Sequence, residues 1–407
     1  MKDEQGYIEK YFKGDKVLWG MAVLLASISV MVVYSAVSAP AFKFYGGNTE
    51  KFLFKHIVFV FVALGAMWGT HMIPYRYYSP LSRGFLLLSI VLLIITLIFG
   101  VDINGARRWL LIPFVNVQFQ PSDFAKFALI SNLASMLAKR QKAIEDQRLV
   151  WQMMLWVGIV VGLIGVADLS GAMLLLFTCM VVLFIGRVPM RIFLQIAVGG
   201  FLFLGLAFTF GQRGKTAISR IDQWINGVEN ANSDNIVNSV PDQLQYAYMA
   251  IARGGFLGEG PGKSTMRYFL PEAFSDFVFP ICIEEYGMLL GIVIMVIYLI
   301  IMFRGMSIAQ KSTTAFGGLL AIGLSFSLAF QGLVNMAVAV GIFPVTGLPL
   351  PFISMGGTSF IFTGMSLGII ISVYRGNHGE LGGGNENVKK NSIKENTIKN
   401  TDVEVEQ

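Results

Sequence analysis

The run DFVFPICIEEYGMLLGIVIMVIYLIIMF, residues 276–303, decides the fold. After one leading aspartate it is almost continuously apolar. As a helix its 28 residues would extend about 42 Å at about 1.5 Å per residue, beyond a bilayer core of about 30 Å. Asp276 therefore falls at a membrane interface, where a long polar stretch meets the apolar segment. Comparable runs recur along the 407-residue chain, which is 55% hydrophobic with a mean hydropathy of +0.64. Such runs are too long and too numerous for one water-soluble core, so the chain is an integral membrane protein. The pattern predicts an all-α polytopic fold of about ten helices, near residues 17–37, 53–72, 85–100, 122–138, 151–167, 171–186, 192–210, 277–303, 317–342 and 358–374.

The first apolar run begins at Val17, with no small-residue cleavage pattern, and reads as a retained helix rather than a removed signal. The formal charge of +6 sits in short loops between apolar runs, not in one patch. It reports topology and does not suggest nucleic acid. With the N-terminus inside, the cytoplasmic loops carry Arg76, Arg83, Lys139, Arg140, Lys142, Arg148, Arg187, Arg191, Arg304 and Lys311. Both termini are then cytoplasmic, and the 64 residues from Gln212 to Ser275 form one long extracytoplasmic loop between helices seven and eight. Residues 1–16 form a cytoplasmic segment, 17–375 the membrane domain, and 376–407 a tail too polar to order itself. Cys179 and Cys282 lie in apolar segments as core residues, and His56, His71 and His378 are too scattered to show a metal cluster. The glycine-rich run from Arg253 to Ser264 is a weak phosphate signal.

Position alone leaves Asp276 either a helix cap or a catalytic carboxylate. Glu284 and Glu285, about two turns deeper, are functional groups or a buried polar clasp. Arg107 and Arg108 lie in an outer loop against the charge bias; phosphate binding is one reason, snorkelling to headgroups the other, and for Arg107 the preferred one. Asp123 and Lys126 share a helix face as an ion pair, from which Lys126 still reaches a substrate phosphate. Gln331 and Asn335 form an i, i+4 stripe that joins helices or lines a cavity. The Pro344–Gly357 segment, with Ser354, cannot be regular helix and must be buried or line a cavity at membrane depth.

In this order, Gly-Ala-Arg-Arg-Trp (105–109), Phe-Gln-Pro-Ser-Asp (119–123) with Lys126, Asp168-Leu169 with Gly171-Ala172, Leu-Pro-Glu-Ala-Phe-Ser-Asp-Phe (270–277) and Pro-Val-Thr-Gly-Leu-Pro-Leu-Pro-Phe-Ile-Ser-Met-Gly-Gly (344–357) form a specific set. Over about residues 12–375 the chain resembles the SEDS family of membrane glycosyltransferases that polymerise peptidoglycan. Leu-Pro-Glu-Ala and Ala252-Arg253-Gly254 resemble its division type, while Thr346 resembles its elongation type. Asp123 stands where the family usually has Glu, Phe274-Ser275 where His-Thr is common, and Met355 where Tyr is usual.

The resemblance implies that the substrate is lipid II and that Asp276 is the general base, with Arg108, Asp123, Lys126, Arg253 and Ser354 at the substrate and Glu284, Glu285, Gln331 and Asn335 along a cavity. It admits a divalent cation, Mg or Mn. It also implies a class B penicillin-binding protein transpeptidase and other division proteins as partners, in a bacterial cytoplasmic membrane at the septum. A lipid II flippase, a non-enzymatic scaffold and the elongation-type polymerase are the alternatives.

Overall fold

Helices form wherever the apolar runs are long enough, because in lipid only a helix satisfies its own backbone. The computed structural model describes residues 13–36, 49–103, 106–112, 117–139, 147–191, 193–195, 198–200, 205, 214–229, 242–270 and 273–379. Its helices are α1 (Lys16–Ala36), α2 (Thr49–Met72), α3 (Tyr78–Phe99), α4 (Pro121–Lys139), α5 (Gln147–Ala167), α6 (Leu169–Ile185), α7 (Gly214–Glu229), α8 (Asp242–Gly254), α9 (Val278–Gln310), α10 (Ala315–Ala339) and α11 (Thr358–Asn377). Among the described residues seven, namely α1, α2, α3, α5, α9, α10 and α11, are long and apolar enough to cross a membrane. Helix α6 is apolar but shorter. Helix α4 carries Asp123, Lys126, Ser131, Asn132 and Ser135 and is mostly buried within the bundle. The predicted helix over 192–210 falls largely outside the described residues; 193–195 and 198–200 are helical. The expected tail lies outside them from residue 380 onward.

Lipid gives helices no hydrophobic reason to associate, so close backbone approach matters. Helix α11 packs along α2. A Cβ on Gly364 or Gly368 would come within 2.3 Å of the carbonyl oxygen of Ala63 or Met67, so only glycine lets these backbones meet. At its N-terminal end Asp15 caps α1 through the Val17 amide at 2.9 Å and accepts from Arg304 Nε at 2.9 Å. The long cation of the α9 terminus is thus fastened to the first helix.

The outer face holds more structure than a loop reading suggests. Strands β1 (Val101–Ile103), β2 (Ala106–Ile112) and β3 (Val117–Phe119) form an antiparallel sheet in the order β1-β2-β3. Asp102 pairs with Arg107, and Leu111 with Gln118. The long polar segment over 212–275 contains α7, α8 and a 3-10 turn, Met266–Tyr268.

Helix α9 starts two residues before Pro280, which its first turn tolerates. It runs seven residues past the expected end at 303, and it breaks at Gly287 (φ 80°, ψ 172°). The glycine-rich run fills that break. Glu259 N and Gly260 N each donate at 2.9 Å to the Glu284 and Glu285 carbonyls, and Met288 N donates to Gly255 O at 2.9 Å. Backbone groups freed by the break thus find partners in the loop. The glycines serve this close packing rather than a phosphate.

Candidate active site

Asp276 stands just outside the first turn of α9, whose N-cap residue is Phe277. Its carboxylate does not cap the helix; Oδ1 accepts from Ser275 Oγ at 3.0 Å. The Pro344–Met355 loop closes over it. With three prolines, Pro344, Pro349 and Pro351, the 344–357 segment is not regular helix and leaves carbonyls unpaired, and side chains from several helices supply the donors.

 Asn335 Nδ2 donates to Leu348 O at 2.7 Å, Gln331 Nε2 to Pro349 O at 2.9 Å and Ser29 Oγ to Ile353 O at 2.7 Å. Tyr298 Oη donates to Pro351 O, and Arg220 to Val345 O at 3.1 Å. The loop is then tied to the aspartate. Asn335 Nδ2 also donates to Asp276 O at 2.8 Å, and Ser354 Oγ to Ser275 O at 2.5 Å. Gly347, at φ +69°, brings its backbone so close that a Cβ there would sit 3.3 Å from Asp276 Oδ2. The polar stripe of Gln331 and Asn335 therefore holds loop carbonyls instead of a facing helix.

The alternation of a strand separates the two adjacent arginines. Arg107 is exposed and donates to Ile98 O at 2.9 Å. Arg108 is half-buried; its Nε donates to Ala167 O at 2.8 Å and its NH1 lies 3.4 Å from Asp168 Oδ2. Asp168 is itself the N-cap of α6, accepting from Gly171 N at 3.0 Å. Burial holds the Asp276 carboxyl above its ordinary value; the Ser275 hydroxyl, Arg108 and Arg220 pull it down, and Asp168 pushes it up. Arg220 belongs to this electrostatic group, although the sequence reading passed over it. The available signal was its spacing of four from Trp224 in a polar segment.

The other expected site residues have the following surroundings. Lys126 Nζ pairs with Asp123 Oδ1 at 3.1 Å in a cleft between α4, α10 and α11, which Gln331, Ser327 and Thr363 also line. The second Asp123 oxygen is buried without a hydrogen-bond partner among the described residues. Glu284 and Glu285 are buried. They clasp the outer loop: Glu284 accepts from Ser264 Oγ and from Thr265 N at 3.0 Å, and Glu285 accepts from Ser35 Oγ. Arg253 sits at the end of α8 with its Nε 3.6 Å from Glu284 Oε1, as part of this clasp. Ser354 spends its hydroxyl on the loop.

Glu284→Ala removes the acceptor for several buried donors and is expected to cost about 3 kcal/mol. A lowered thermal midpoint and faster proteolysis within 255–267 would show it; an unchanged midpoint would count against the clasp. Among the described residues no three His, Cys, Asp or Glu side chains converge. The described residues thus assemble no protein-built cation site of that kind.

Among the described residues, seven membrane-length helices, one of them preceded by a loop-enclosed carboxylate, define a polytopic membrane protein with a built polar site. The chain belongs to the cell cycle protein family of FtsW, RodA and SpoVE, whose model matches residues 15–378. It is 31% identical over 371 residues to stage V sporulation protein E of Bacillus subtilis, covering 89% of this chain and 97% of that one. It is 32% identical over 366 residues to a probable peptidoglycan glycosyltransferase FtsW of Tolumonas auensis, covering 88% and 91%. In fold it is similar to a chain of a peptidoglycan synthase complex that coordinates polymerization and crosslinking, with a TM-score of 0.68, 25% identity and coverage of 90% and 99%. It is also similar to Thermus thermophilus RodA, with a TM-score of 0.64, 26% identity and coverage of 91% and 99%. It is a multi-pass bacterial membrane protein.

Proposed function

We propose that this chain is a peptidoglycan glycosyltransferase that polymerises lipid II at the outer face of the cytoplasmic membrane, with Asp276 as general base. The observation that carries the assignment is Asp276 itself, half-buried, clamped by Asn335, Ser354 and Gly347 and neighboured by Arg108. Asp276 takes the proton of a sugar 4-hydroxyl as that oxygen attacks the anomeric carbon of a donor, opposite the pyrophosphate, so the donor configuration inverts. A carboxyl raised above its ordinary value is a better base for this task. Pyrophosphate departs as a stabilised anion, so no second carboxylate is required to protonate it, unlike the alkoxide of a glycosidase. Arg108, and Lys126 from its cleft, supply positive charge as that anion develops.

The relatives named FtsW support a division role, at the septum and with both termini inside. The likeness to a synthase complex supports a class B penicillin-binding protein transpeptidase as partner, alongside other division proteins. Lipid II polymerisation and bilayer translocation should be measured on the purified, reconstituted chain, with and without such a transpeptidase. Glycan strands are the expected product. Translocation of lipid II without glycan under either condition would replace the polymerase with a flippase, and neither activity would leave a scaffold.

A further inference from the structure

We propose that Arg220 is a second substrate-contacting guanidinium of this site, set by the external helix α7 to hold the pyrophosphate of the lipid-linked donor beside Arg108. The inference rests on the reading of Asp276 as base. Helix α7 turns Arg220, Ile221 and Trp224 inward, while Ile218, Ser219, Asp222, Gln223 and Ile225 stay exposed. Arg220 and Trp224, one turn apart, fasten it to the site loop: NH1 of Arg220 donates to Val345 O at 3.1 Å, and Nε1 of Trp224 to Gly341 O at 2.9 Å. Val345 is two residues from Gly347, whose backbone lies against Asp276 Oδ2.

Arg108 is engaged with Asp168, but among the described residues Arg220 has no carboxylate within ion-pair distance. A guanidinium has five N–H donors, and Val345 takes one. A half-buried arginine with unused donors at the rim of an anion-releasing site matches a phosphate's paired oxygens. Arg220 also interacts electrostatically with Arg108, Asp276 and Asp168.

The test uses the full-length reconstituted protein, lipid II polymerisation kinetics and inhibition by inorganic pyrophosphate. Arg220→Ala is expected to lower kcat/KM about 10²-fold, to weaken pyrophosphate inhibition at least about tenfold, and to move the acid limb of the pH profile upward. Arg220→Lys should restore part of each. Trp224→Phe, which removes the other tether, should keep wild-type pyrophosphate inhibition. Polymerisation by Arg220→Ala at the wild-type rate would overturn the proposal. So would unchanged pyrophosphate inhibition alongside reduced rate, which marks a structural tether. If Arg220→Ala does not fold, Arg220→Lys decides by the same inhibition measurement. An active Asp276→Asn protein would defeat the base assignment, whereas inactive Asp276→Asn with normal Arg220→Ala would defeat this inference alone.

Discussion

Asp276→Asn should reduce glycan polymerisation at least about 10³-fold, within the range that a positioned general base supplies. Asn has nearly the same shape and retains an oxygen to accept from Ser275, yet it cannot take a proton. Folding should survive the change. Burial raises the Asp276 pKa in the folded protein above its unfolded value. Such a group stabilises the fold below the unfolded value, about 3.9 for Asp, and that contribution is lost as pH rises through the folded value. At neutral pH the ionised carboxylate is therefore a burden that Asn removes, and the melting temperature should hold or rise. For wild type, the acid limb of kcat/KM should lie above the ordinary Asp range. Normal polymerisation by a well-folded Asp276→Asn protein would end the assignment.

Gly287→Ala should be the most damaging single methyl in the outer half of the bundle. Its φ of 80° with ψ of 172° is a region essentially reserved for glycine. A Cβ would also lie 2.2 Å from Phe256 O. The loop cannot easily retreat, because Met288 N to Gly255 O and Gly260 N to Glu285 O hold it on both sides of the break. Strain and clash together should cost about 4 kcal/mol. Gly291→Ala is the control: its Cβ would meet only side-chain carbons, the nearest at 3.1 Å. Thermal unfolding in detergent separates the two, and equal midpoints would show that the break is not fixed by Gly287.

Hydropathy located the spanning helices because a bilayer demands long apolar runs, and nine of the ten expected segments carry a helix among the described residues. It missed the break in α9, since a glycine in an apolar run looks like any other membrane glycine. The spacing of Gln331 and Asn335 was legible, but their partners were not. Those partners are carbonyls exposed by a proline-rich loop, and such pairing depends on tertiary approach. Glu284 and Glu285 stood out as costly acids, yet only the fold shows that the outer loop takes up their charge. Arg107 and Arg108 read as loop residues, with snorkelling preferred for Arg107; a strand sends them to opposite faces. Arg220 was hidden because a polar external segment offers many cations and no periodic apolar background against which one stands out.

The donors that hold the Pro344–Met355 loop come from α1, α7, α9 and α10, through Ser29, Arg220, Tyr298, Gln331 and Asn335. These contributors span more than three hundred positions of chain, from residue 29 to residue 335. No excised fragment can therefore reproduce the surroundings of Asp276, even one that retains every residue from α8 to α11. A minimal version of this protein must keep its first helix, however far that helix lies in sequence from the chemistry.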